Sequence, residues 1–121
     1  MDRLKKTYSM LGLATRAGKI KSGEFAAEQS VKAGKCYLCI VADDASANTK
    51  KKFNDMCSFY ETPIAVFGTK EDIGHAIGKE MRATVAVCDE GFANNISKLV
   101  LSNENDNGQG TAGFTTEDEK V

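Results

Sequence analysis

Apolar positions in this chain fall at two periods, and the changes of period mark out alternating helices and strands. Over residues 2–16, Leu4, Tyr8, Leu11 and Thr15 recur at the three- and four-residue spacing of one helical face. Ile20 stands between Lys19 and Lys21, a polar–apolar–polar triplet that fits the start of a short edge strand. A helix from about Glu24 to Ala33 follows, with Phe25, Ala26, Ala27 and Val31 as apolar positions and Gly34 as its stop. The run Cys36–Ala42 reads as a buried strand, and Asp43–Ala47 as a polar loop feeding a helix to about Tyr60 that buries Phe53, Met56, Cys57 and Tyr60. Pro63 precedes a strand, Ile64–Phe67; Thr69 and Asp72 form a capping box for a helix ending at Gly78. Thr84–Cys88 is the last strand and Glu90–Leu101 the last helix. This alternation predicts an α/β protein: a three-layer α/β/α sandwich around a mixed, mostly parallel sheet of about four strands.

From Ser102 onward apolar residues give way to Asn, Gly, Thr and acids, so the expected organisation is one domain over residues 1–101 and a disordered acidic tail over 102–121. A chain of 121 residues fits one compact domain and can bury a core without disulfide or metal staples. No apolar run is long enough to span a bilayer, and the first residues lack the pattern of a secretory signal. A cytoplasmic location is the expectation.

Net charge is −1, but it is unevenly spread. Residues 1–52 hold 11 Lys/Arg against 5 Asp/Glu, whereas residues 102–121 hold one Lys against 5 acids. A locally basic half can bind a polyanion even when the whole chain is near neutral; an unevenly charged solvated surface is the plainer alternative. Cys36 and Cys39 form a C-x-x-C, yet they lie in an expected strand, where residues three apart point to opposite faces. Buried, reduced cysteines are the better reading.

The basic half converges on Arg16-Ala17-Gly18-Lys19-Ile20-Lys21-Ser22-Gly23. Ser22 is placed to cap the helix that follows, and Gly23 lets a ligand approach its first turn. A helix start presents free N–H groups and a positive dipole end, so with Arg16, Lys19 and Lys21 beside it the fitting ligand is a phosphate. The spacing is not that of a P-loop, because five residues separate Gly12 from Gly18 and Ile20 follows Lys19. His75 is the sole histidine and sits in an ordinary helical pattern, so no catalytic triad can be assembled without it. Asp43-Asp44 fits capping and loop polarity better than metal binding, and Lys50-Lys51-Lys52 reads as a solvated helix face. The sequence predicts no catalytic residue, no metal site and no cofactor.

The order of basic stretch, capped helix, strand and Ala42-Asp43-Asp44-Ala45-Ser46 resembles a known superfamily, that of ribosomal proteins L-seven-Ae, L-thirty-e and S-twelve-e and the Gadd-forty-five proteins. Within it the resemblance is to the bacterial YlxQ type. It is carried by Leu11–Lys19, Ser22-Gly23-Glu24, Asp43–Thr49, Ile77-Gly78-Lys79-Glu80 and Gly91-Phe92-Ala93-Asn94, and covers about residues 8–100. The resemblance implies an α/β/α fold and binding to structured RNA, often a kink-turn or a related bent internal loop. In kink-turn binders the helix after the basic loop carries a Gly-x-Asn-Glu-x-x-Lys type signature that reads sheared G·A pairs. Aligned on Gly23, those reading positions are Phe25, Ala26 and Gln29, of which Gln29 alone can hydrogen-bond a base edge. The expectation is retained backbone binding with altered base specificity. A second family contact is the loop before the last strand, here Lys79–Thr84. There Arg82 is placed to meet a phosphate or base, or else to form a surface salt bridge. Met81 is placed to pack on an extruded nucleotide, or else on the core.

The resulting expectation is non-catalytic binding of structured RNA, foremost ribosomal RNA, with ribosomal or translation proteins as further partners and no membrane. The candidate contacts are Arg16, Gly18, Lys19, Lys21, Ser22, Gly23, Glu24, Gln29, Lys35, Met81, Arg82 and Thr84. Two other readings share the fold: a protein-interaction module, and an accessory substrate-binding subunit for an RNA-modifying enzyme.

Overall fold

Two four-residue strands with every side chain buried, β2 (Leu38–Val41) and β4 (Thr84–Val87), form the centre of the computed structural model, which describes residues 3–107 and 114–115. Strands buried on both faces need helices on both sides, and the remaining elements supply them. In chain order these are α1 (Arg3–Arg16), β1 (Ile20–Ser22), α2 (Glu24–Lys32), then β2, α3 (Ala47–Phe59), β3 (Ile64–Val66), α4 (Lys70–Ala76), then β4, α5 (Glu90–Asn107) and β5 (Phe114–Thr115). On one side α2 packs on β1 and β4 and touches α3; on the other α1 lies against α4 and α5. Leu11, Val31, Ile40, Phe53, Ile73 and Ile96 are fully buried between these layers. The three-layer α/β/α arrangement expected from the alternation is the one found.

The sheet order is β1-β4-β2-β3-β5. Pairing differs from the mostly parallel sheet expected: β2–β3 is parallel, whereas β1–β4, β2–β4 and β3–β5 are antiparallel. β1, β2 and β3 do run in one direction, but β4 runs the other way and inserts between β1 and β2. The cause is the segment between β3 and β4. After α4 the chain turns at Gly78 (φ 80°) and comes back, so that the Arg82 N–H donates to the carbonyl of Lys70, the first residue of α4, at 3.0 Å. Having returned to the end where β3 finished, the chain enters β4 in the opposite sense. An alternating hydrophobic pattern carries no trace of such a reversal.

Smaller differences have local causes. The buried face of α1 is Thr7, Leu11 and Ala14 rather than Leu4 and Thr15. Thr7 can face the core because its hydroxyl donates to the Arg3 carbonyl at 2.9 Å. Helix α5, whose first turn is capped by the Asp89 carboxylate accepting from the Phe92 N–H at 2.9 Å, continues past Leu101 to Asn107. β5 then adds a strand beyond the four expected, with Phe114 opposite Ala65 and Thr115 opposite Ile64. The rest of the expected tail, residues 108–113 and 116–121, lies outside the described residues.

Cys36, Cys39 and Cys57 are free and buried, and Cys88 is free and half-buried. Burial pushes the Cys36 thiol up to about 12. Cys39 is also pushed up, first by its hydrogen bond with Cys57 and then by burial. Thiols held in the protonated form are poor nucleophiles, in keeping with their reading as packing residues.

Candidate nucleic-acid interface

β1, β2 and β3 finish at the same end of the sheet, and α2, α3 and α4 begin there. In open α/β sheets this is the end where ligands bind. Two of the three helix starts are closed by side chains. Ser46 caps α3 by accepting from the Thr49 N–H at 3.1 Å, and Thr69 caps α4 by accepting from the Asp72 N–H at 3.0 Å. The Asp44 carboxylate also accepts from the Lys70 N–H at 2.9 Å. Asp44 therefore serves as a cap delivered from a neighbouring loop, while Asp43 pairs with Lys50 at 3.7 Å.

The start of α2 is different. Its N-cap is Gly23, with φ 98° and ψ 156° and no side-chain capping bond. That conformation is essentially restricted to glycine, and the space where a Cβ would sit is open. The first intrahelical bond runs from the Ala27 N–H to the Gly23 carbonyl at 2.9 Å. The N–H groups of Glu24, Phe25 and Ala26 thus have no helical acceptor and form the positive end of the helix dipole.

Ser22, the expected cap, is still a strand residue. It pairs with Val85, and its hydroxyl accepts from Arg82 Nε at 3.2 Å. The Arg82 guanidinium also donates to the Met81 carbonyl at 2.7 Å. The Lys79–Ala83 loop is thereby strapped to the end of β1, directly beside the open turn of α2. Gly74 makes this approach possible. A Cβ there would lie 2.5 Å from the Glu80 carbonyl oxygen and 2.8 Å from Met81 Cα.

The candidate residues therefore divide. Ser22, Gly23, Met81 and Arg82 meet at the open helix start. Lys21, exposed in the middle of β1, is their neighbour along the strand, with its side chain on the opposite face of the sheet from Ser22. Arg16, Gly18 and Lys19 lie at the other end of β1: the Lys19 carbonyl accepts from Cys88, after β4, whereas the Gly23 N–H donates to Thr84, at the beginning of β4. Lys19 and Gly23 are roughly 13 Å apart along an extended chain. Gly18 (φ 75°) makes the turn that ends α1, and Arg16 lines a groove between α1 and α4 together with Lys5 and His75. Lys35 follows the far end of α2, about 12 Å of helix from Glu24. The Thr84 side chain is 1 % exposed, with its hydroxyl buried and unpartnered, so its contribution is the carbonyl that holds Gly23. Gln29 is exposed on α2, one turn beyond Phe25.

Glu24 places a negative charge where a phosphate would come, and Lys52 offsets it. Lys52 Nζ lies 3.2 Å from the Glu24 carboxylate and 3.0 Å from that of Glu28. Hydrogen bonds first from Lys32 and then from Lys52 hold the Glu28 carboxyl below its ordinary value. The lysine run is thus not a uniform solvated face: Lys51 pairs with Asp55 on its own helix, and Lys52 reaches across to α2.

Residues 5–97 match the model of the Ribosomal protein L7Ae/L30e/S12e/Gadd45 family. The chain belongs to that family. Among its relatives, the RNA-binding protein YlxQ of Bacillus subtilis is 40 % identical over 93 residues, covering 77 % of this chain and 93 % of the relative. A large ribosomal subunit protein eL8 from Cenarchaeum symbiosum is 26 % identical over 102 residues, covering 84 % of this chain and 81 % of the relative. A solved structure of a protein with unknown function from Bacillus halodurans C superposes with a TM-score of 0.77 at 39 % identity, covering 78 % of this chain and 96 % of that one. The span shared with the family holds both the α2 start and the Arg82 loop. No helix among the described residues is long and apolar enough to cross a membrane.

Proposed function

We propose that this protein binds structured RNA in the cytoplasm, without catalysing a reaction on it, through the end of the sheet where α2 begins. The observation that carries this reading is the uncapped start of α2 beside an arginine fixed to the adjoining strand. The three open N–H groups and Arg82 form a set of phosphate ligands held on rigid elements, and Lys21 adds positive charge on the neighbouring face of β1. The names of the two relatives, an RNA-binding protein and a ribosomal subunit protein, support the same reading. They make ribosomal RNA the foremost candidate; that the structure bound is a kink-turn-like internal loop is what the family resemblance implies. Because Phe25 and Ala26 stand where kink-turn readers place Asn and Glu, phosphate contacts supply most of the affinity and base-edge contacts little.

The test is a titration of the whole chain with an internal-loop RNA and with a fully paired duplex of equal length, over a range of salt. Three engaged phosphates give a slope of log affinity on log salt of roughly −2 to −3, with the internal-loop RNA bound more tightly. A salt-independent interaction, or none at low salt, contradicts the reading and favours a protein-interaction module instead.

A further inference from the structure

The first turn of α2 carries chemistry unlike that of a base-edge reader. Phe25 is 75 % exposed, although a phenylalanine gains its stabilising value by burial. Gln29, also exposed, follows on the same helical face at i+4. Met81, 53 % exposed, is bonded to the guanidinium of Arg82 through its own carbonyl. The ring contacts between aromatic side chains among the described residues are Tyr8 with Phe67 and Phe59 with Tyr60, and Phe25 takes part in neither. An exposed ring therefore stands within the same helical turn as the open N–H groups.

Resting on the RNA-binding reading above, we infer that Phe25 is a stacking platform for an unpaired nucleobase. The ligand class is then RNA with an unstacked base beside its phosphate contacts, rather than RNA read through the edges of paired bases. A phenyl face has no hydrogen-bonding groups, so it accepts any base and selects for one that is free to leave its helix. The amide of Gln29 is placed to add a donor and an acceptor to the edge of the stacked base. Selection then acts on structure rather than sequence, in keeping with Phe25 and Ala26 standing where kink-turn readers place Asn and Glu.

The experiment compares the wild-type chain with Phe25→Ala and Phe25→Trp, using a hairpin RNA with a single bulged 2-aminopurine and a fully paired hairpin. Thermal melts should coincide for wild type and Phe25→Ala, because the side chain contributes little to the core. Phe25→Ala should bind the bulged RNA roughly 5- to 100-fold more weakly, with an unchanged salt slope, no 2-aminopurine quenching and no preference over the paired hairpin. Phe25→Trp should restore binding and quenching. If Phe25→Ala binds and quenches like wild type, the stacking inference falls while RNA binding stands. If wild type binds neither RNA at low salt, the underlying reading falls and this inference falls with it.

Discussion

Gly74→Ala should destabilise the protein by roughly 1–3 kcal/mol and weaken RNA binding as well, although residue 74 touches no ligand. The added Cβ would lie 2.5 Å from the Glu80 carbonyl oxygen, 2.8 Å from its carbon and 2.8 Å from Met81 Cα. All three are backbone atoms, so no side-chain rotation relieves the clash. The Lys79 N–H is meanwhile bonded to the Gly74 carbonyl at 2.8 Å, which holds the loop against the helix. The loop must move, and Met81 and Arg82 move with it, breaking the contact between Arg82 and Ser22. Denaturant melts should show the stability loss, and RNA titration at fixed salt should show weaker binding with Lys21 untouched. Gly12→Ala is the control: its Cβ would approach the Ala76 carbonyl oxygen at a milder 3.2 Å. Equal effects from the two substitutions would contradict the role given to Gly74.

The second large effect is electrostatic. The double substitution Lys21→Ala with Arg82→Gln removes the cation at the open helix start and the one next to it along β1, and keeps an amide at position 82 to reach Ser22. Its slope of log affinity on log salt should be flatter than that of wild type by about 1.4 to 1.8, the share of two phosphates. Lys35→Ala, at the far end of α2, should leave the slope where it was. An unaltered slope in the double variant, or an equal change from Lys35→Ala, would move the phosphate contacts elsewhere on the molecule.

What was legible in the sequence is what depends on neighbours along the chain. The apolar run through Leu38–Val41 announced a buried strand, and Thr69 caps its helix as the capping box with Asp72 announced. Ser22 looked equally suitable as a cap but is not one, because the positive φ of Gly23 keeps Ser22 in the strand, where its hydroxyl meets Arg82. That partner is sixty positions away. The same distance problem hid the pairing of Lys52 with Glu24, the bond from Arg82 to Lys70 that reverses β4, and the need for glycine at 74. Thr84 carried two readings at once, strand and contact residue, and its side chain follows the strand reading. The basic stretch was visible as charge, but three residues of strand separate its two ends, and that separation removes Lys19 from the open helix start.

The most direct measurement follows backbone amide resonances during titration with an internal-loop RNA at low ionic strength. The amides of Glu24, Phe25 and Ala26 should shift together with those of Met81, Arg82 and Ala83, while Tyr37, Phe59 and Tyr60 at the opposite end of the sheet stay in place. Stationary Glu24–Ala26 resonances under saturating RNA, with movement at that opposite end, would contradict the account.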